Sequence, residues 1–243
     1  MPRRPRVALK TDLFEEAFGA DALLHDLAPL CPNWIGMDVA AATVLEARAR
    51  FHSTGARFLV CDARRLPMRA QSLDLVISNS TLDHFADRRD FEAAVSEIAR
   101  LLRPGGRLLI TVDNPRNPFY IPLRWISLWR RSPFPLGYTP SARALRVLLA
   151  SNGLEVIDTG TLIHNPRGLS TVLFLVIRRV TGHYAPGLIA RFLNLFEKLD
   201  RLPTRGITAC FLAACAVRPG EDKTLEQAAE SQEPPAVSHS PEP

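Results

Sequence analysis

A chain of 243 residues, 47% hydrophobic and 23% charged, is long enough for one α/β domain with insertions, or for one domain and a tail. The basic start MPRRPR leads into a mixed segment rather than an apolar one, and apolar runs such as STVLFLVI at 170–177 fall far short of the roughly 20 residues that cross a bilayer. These features predict a cytoplasmic protein with neither a secretory signal nor a membrane span, with peripheral contact at a membrane surface left open.

The net charge of +5 hides an asymmetry. From Pro219 onward six acidic residues face Lys223 alone, which leaves 29 basic against 19 acidic residues, or +10, in the rest. The tail 219–243 collects Pro, Ser, Gln and Glu without apolar periodicity and reads as a disordered acidic segment. A basic body suits an anionic partner, either a phosphorylated substrate or an acidic membrane surface. The cysteines at 31, 61, 210 and 215 share no metal-ligand spacing and read as small buried residues in a reducing compartment, so no metal is expected.

In chain order, VALKTD (7–12) is a first strand, followed by a turn and a helix over ALLHDLA (22–28). WIGMDV (34–39) is a second strand and AATVLEARARF (41–51) a helix with 3.6-residue spacing. RFLVCDA (57–63) and LDLVISN (73–79) are further strands, and DFEAAVSEIARLL (90–102) is a helix that buries Phe91, Ala94, Val95, Ile98, Leu101 and Leu102. Pro104-Gly105-Gly106 is expected to stop it before a fifth strand, RLLITVD (107–113). Alternating helices and near-continuous apolar strands mean a parallel sheet covered on both faces.

After 113 the pattern changes. Residues 114–139 interleave five prolines with aromatics that include Tyr120, Trp125, Trp129 and Tyr138, and with Arg116, Arg124, Arg130 and Arg131. A helix over 141–151, a strand over 154–163, two apolar helical stretches within 168–200 and a last strand over 207–217 complete the chain. No second core is visible. The domain therefore runs from 1 to 218, with 114–139 and 168–200 as insertions on one sheet.

Ligands of an open parallel sheet bind beyond the C-terminal ends of its strands. Asp12, Asp38, Asp62 and Asn79 fall at such ends. Asp38 can accept hydrogen bonds from both hydroxyls of a ribose; its plain structural reading is the cap of the following helix. Asp62 can accept from an exocyclic amine while the backbone beside Ala63 meets a ring nitrogen, or it is simply a turn aspartate before Arg64. His84 in LDHF can take a proton from a hydroxyl during its alkylation, or it orders its loop. His164 in LIHNPR is a weaker candidate of the same kind.

WIGMDVA, VCDARRLPMRAQSLDLVISNSTLDHF and LRPGGRLLITVDN together resemble the class I S-adenosylmethionine-dependent methyltransferases of the small-molecule type, continuously over about 34–114 and more loosely to 217. The resemblance implies an α/β Rossmann-like three-layer sandwich with a seven-stranded, mostly parallel sheet and an antiparallel last strand. It implies S-adenosyl-L-methionine as cofactor, its adenosine held by Met37, Asp38, Asp62 and Ala63, with Asn79 and Ser80 lining the methionine end above Ile77 and Ser78. The family carries an acid and three closely spaced glycines after its first strand, whereas VALKTDLFEEAFGAD has Gly19 alone. In one reading a longer loop reaches the cofactor, with Thr11 and Asp12 at the strand end, Asp12, Glu15 or Glu16 on the ammonium, and the helix beyond Gly19 on the carboxylate. In the other the pocket is degenerate and the chain is a binding or membrane-surface module. A dinucleotide cofactor is the lower-ranked rival. The expected acceptor is a small or lipid-like molecule, methylated on oxygen, under a lid bearing Tyr120, Trp125, Trp129 and Tyr138; nucleic acid is not expected as a partner.

Overall fold

The computed structural model describes residues 4–19, 22–118, 120, 137–164, 176, 177, 179 and 186–220. Its seven strands are β1 (Val7–Thr11), β2 (Asn33–Asp38), β3 (Arg57–Val60), β4 (Leu73–Asn79), β5 (Leu102–Asp113), β6 (Glu155–Leu162) and β7 (Phe211–Val217). They form one sheet in the order β3-β2-β1-β4-β5-β7-β6. The first five strands pair in parallel, and β7 runs antiparallel between β5 and β6. This is the expected architecture. The order turns back between β1 and β4, so the C-terminal ends of these two strands flank a crevice.

Burial follows the side-chain periods. The helix α4 (Arg88–Leu101) buries Phe91, Ala94, Val95, Ile98 and Leu101, the face its spacing predicts, against Leu9, Val76, Leu108 and Ile110 of the sheet. Beside it packs α5 (Ala142–Ser151), capped by Ser141 Oγ accepting from Ala144 N at 3.3 Å, with Leu145 and Leu149 inward. The opposite face is covered by α1 (Phe14–Phe18), α2 (Leu23–Leu27) and α3 (Ala41–Arg50). Trp34 is buried there and donates from Nε1 to Leu27 O at 2.9 Å. Toward the C-terminus lie α6 (Pro186–Glu197) and the short α7 (Arg205–Thr208). Among the described residues no helix is long and apolar enough to cross a membrane.

Three boundaries differ from expectation. Residues 103–106 do not simply end a helix: Leu73 pairs with Leu102 and Leu75 with Arg107, so PGG bulges out of a longer β5. Gly105, at φ +79°, donates to Arg218 O at 2.7 Å and fixes that bulge to the chain after β7. The third strand stops at Val60, and Asp62 sits in a tight turn bridged to Arg65. The last strand begins at Phe211 because 205–208 form a helical turn. The tail beyond 220 and most of 165–185 lie outside the described residues.

Candidate active site

The stretch after β1 is short helix rather than long loop. Asp12 turns the chain in the left-handed region, at φ +66°, a conformation glycine adopts without cost. Its Oδ1 accepts from Phe14 N at 2.7 Å, the local carboxylate–backbone bond that lets an aspartate tolerate this turn. Leu13 is then fully buried, its methyl group seated over Gly36, where an added Cβ would lie 2.7 Å away. Gly36 in β2 thus does packing work that the missing glycines of the first loop do not.

Lys10 and Glu16, both buried, lock this region: Nζ donates to Glu16 Oε2 at 2.7 Å and to Asp12 O at 2.7 Å. Glu16 Oε1 also accepts from Leu24 N at 3.3 Å. Glu16 is consequently a structural anion, and its expected place on a ligand ammonium is corrected. Gly19 is extended, at φ −74°, and is needed because a Cβ there would stand 2.6 Å from the backbone oxygen of Glu15. Residues 20 and 21 lie outside the described residues, and α2 beyond them has five residues only, too few for a strong dipole.

Around the crevice the sheet brings Asp12, Asp38, Asn79, Ser80 and His84 together. Asp38, at the end of β2, accepts from Leu13 N at 3.0 Å through Oδ2 and from Ala40 N at 2.8 Å through Oδ1. It therefore orders both neighbouring turns, yet a carboxylate offers about four lone-pair sites and two remain for a diol. Burial pushes the Asp12 carboxyl above its ordinary value, against the opposing pull of the Phe14 N–H and Lys10; the charges of Asp38 and His84 reach it as well. A half-buried carboxyl so placed gains from a cationic ligand.

At the end of β4, Asn79 Oδ1 accepts from Thr111 Oγ1 at 2.6 Å, leaving its amide group to donate outward. Ser80, at φ +48°, donates its N–H to Thr111 O at 3.1 Å and its hydroxyl to Asp83 Oδ2 at 3.2 Å. Thr11 Oγ1 donates to Thr81 Oγ1 at 3.0 Å and ties β1 to this loop, so it is a clamp beneath the crevice. Met37 packs in the core, as do Ile77 and Ala63 in theirs. Asp62 is gripped by Arg64, whose Nε and Nη2 approach its carboxylate at 2.6–3.0 Å and hold it below the usual carboxylate range. Arg64 also pairs with Asp90 at 2.8 Å. An exocyclic amine would have to share Asp62 with this guanidinium.

His84 is exposed at the end of a short turn, Leu82–His84. His164 is buried instead, 3% exposed, with Nδ1 2.9 Å from Thr208 Oγ1 and Nε2 3.3 Å from Asp200 Oδ1. It ties the end of β6 to α7. Of the expected lid, Trp125 and Trp129 lie outside the described residues. Tyr120 is buried and its hydroxyl is 2.7 Å from Thr139 Oγ1. Tyr138 packs edge-on against Phe91 at 5.6 Å and donates its N–H to Phe85 O at 2.6 Å.

Sequence reasoning missed Asp83. It is 2% exposed; Oδ2 accepts from Asp113 N at 2.8 Å, its backbone oxygen accepts from Gly137 N at 3.0 Å, and Oδ1 has no partner. It joins the β4 loop, the end of β5 and the chain leaving 136. The signal was faint: one acid beside a leucine in LDHF, with no periodicity to mark it as buried. Among the described residues no cluster of metal-ligating side chains occurs.

The reversal between β1 and β4 and the antiparallel β7 give the chain a Rossmann-like fold of the kind seen in solved methyltransferase structures. Residues 15–110 match a family model described as a methyltransferase domain. A Mycolicibacterium smegmatis protein named "Probable S-adenosylmethionine-dependent methyltransferase" is 31% identical over 159 residues, 61% of this chain and 52% of its own. A fatty-acid O-methyltransferase of the same organism is 33% identical over 98 residues, 40% of this chain and 34% of its own. A Mus musculus tRNA (carboxymethyluridine(34)-5-O)-methyltransferase is 50% identical over 54 residues, 22% of this chain and 8% of its own. The chain thus spans about half the length of the first relative and less of the others. The YcgJ protein of Bacillus subtilis shares the fold at a TM-score of 0.57, 20% identity, and 89% and 93% of the two chains.

Proposed function

We propose that this protein transfers a methyl group from S-adenosyl-L-methionine to a small-molecule or lipid-like acceptor, on oxygen. The observation that carries the reading is the convergence of Asp12, Asp38 and Asn79 on one crevice, each with hydrogen-bonding capacity left over. The residues fit the cofactor's parts: Asp38 for the ribose diol, Asp12 for the ammonium, and the Asn79 amide for the carboxylate. Asp62 and Ala63 form the adenine end once Arg64 shares its carboxylate.

The bound cofactor supplies a methyl on a sulfonium, which is already a good leaving group. The chain's own contribution is positioning, which accounts for much of such a rate. His84 stands on the acceptor side of the crevice as a general base for a hydroxyl, and Tyr138 is fixed beside it. The likeness to the fatty-acid enzyme supports an oxygen acceptor with an apolar body; the likeness to the tRNA enzyme supports an acceptor in RNA.

The test is methyl-labelled cofactor incubated with separate lipid, polar-metabolite and tRNA fractions. Label is expected in the lipid or metabolite fraction. His84→Gln is expected to lower turnover by about 10²-fold, the lower end for general-base catalysis. Label in tRNA alone moves the acceptor to RNA, and no label in any fraction favours the non-catalytic binding module.

A further inference from the structure

The face of the sheet under α5 carries a second opening, a groove of about 210 Å³ set apart from the β1–β4 crevice. Its floor is apolar: Leu145 from α5, Val156 from β6 and Leu212 from β7. Three arginines line it, each from a different element: Arg116 from the turn after β5, Arg146 from α5 and Arg205 from α7. Arg146 donates from Nη2 to Thr159 Oγ1 at 3.4 Å, which leans it across the edge strand. Among the described residues none of the three guanidinium groups has an acidic partner. All three residues are exposed, so water now solvates them.

The larger cavity at the opposite end of the sheet, about 610 Å³, shows the contrast. Its arginines are already committed: Arg100 to Glu97 at 2.8 Å, and Arg218 to the carbonyls of Ala99 and Leu102 at 2.8 and 3.1 Å. That cavity has cations with work inside the fold. The groove's cations have no acidic partner among the described residues, and Arg146 alone is held, by the Thr159 hydroxyl.

We propose that this groove is a binding site for a free anionic amphiphile with a short alkyl chain and a carboxylate head. A guanidinium fork matches a carboxylate with two parallel hydrogen bonds, and such charge-assisted bonds are about twice as strong as neutral ones. Three cations from separate elements line one mouth, while no carboxylate among the described residues answers them. The floor removes alkyl surface from water at roughly 25 cal/mol per Å². At about 210 Å³ the groove lies below the roughly 300–1,000 Å³ of sites for larger ligands, which limits the chain to a short one. The site is independent of methyl transfer and does not rest on it.

The test is calorimetric titration of the full chain with sodium decanoate below its micelle concentration. Binding is expected in the wild type and at least tenfold weaker binding in Arg146→Gln/Arg205→Gln. Both side chains are exposed, and an unchanged unfolding midpoint confirms that the double variant folds. Equal binding to both proteins overturns the proposal, as does equal binding of decyltrimethylammonium. Binding of acetate as tight as that of decanoate removes the apolar part of the site. Attachment to anionic vesicles without binding of free decanoate overturns it in favour of a membrane surface, and binding of tRNA in place of decanoate overturns it in favour of a phosphate backbone.

Discussion

Asp83 is buried with one oxygen unpartnered, and burial raises its carboxyl above the ordinary value of 3.8, despite the Asp113 N–H and the neighbouring His84. Between 3.8 and the raised value the folded chain holds a proton that the unfolded chain has released. The stability Asp83 contributes is therefore complete below pH 3.8 and is lost as pH rises through the raised value. In Asp83→Asn the carbonyl still accepts from Asp113 N and Ser80 Oγ, but nothing titrates. Urea unfolding of both proteins from pH 3.5 to 7 should show the wild type losing stability relative to the variant as pH rises. A difference that stays flat across this range would sink the assignment. Asp62 and Glu97 are held low by Arg64 and Arg100, and they act in the opposite sense in both proteins, so they cancel in the comparison.

Where elements meet, Gly137 is the sharpest constraint. A Cβ there would stand 2.2 Å from Phe85 O and 2.5 Å from Asp83 O, both backbone atoms, in the place where Gly137 N and Tyr138 N donate to this loop. Gly137→Ala must break these two bonds, at about 1–3 kcal/mol. Gly187, in α6, has nothing within 4 Å of its missing Cβ, so Gly187→Ala serves as the control and should lose no stability, gaining up to about 1 kcal/mol from helix propensity. Urea midpoints that fall for neither variant would show that the 137–138 contact contributes nothing. The strands and α4 were legible because period and burial agree: every residue of the predicted α4 face is inside. The first loop was not. A buried Lys10–Glu16 pair and a left-handed Asp12 replace glycines there, and neither leaves a periodic trace in VALKTDLFEEAFG. Asp38 was readable both as a ribose ligand and as an organiser of the next helix. The geometry shows it bonded to both adjoining turns, with lone pairs remaining.

For the molecule as a whole, the sheet order makes one crevice the natural ligand site, and occupancy there links β1, β2 and β4 into one stability. A ligand that binds only the folded chain adds RT ln(1 + [L]/Kd), about 2.7 kcal/mol at a hundredfold excess over Kd. In a chain of this size each kcal/mol moves the unfolding midpoint by roughly 2–4 °C, so saturating S-adenosylhomocysteine should raise Tm by about 5–10 °C. Asp38→Ala loses the proposed ribose acceptor along with its bonds to Leu13 and Ala40, so its own Tm falls. The informative quantity is the ligand-induced shift, which should drop to less than half of the wild-type value. An equal shift in both proteins would remove Asp38 from the site while leaving the cofactor in place. A wild type that ignores S-adenosylhomocysteine but is stabilised by NAD would transfer the crevice to a dinucleotide, since a sheet reversing between β1 and β4 suits either nucleotide and only the side chains at the strand ends decide.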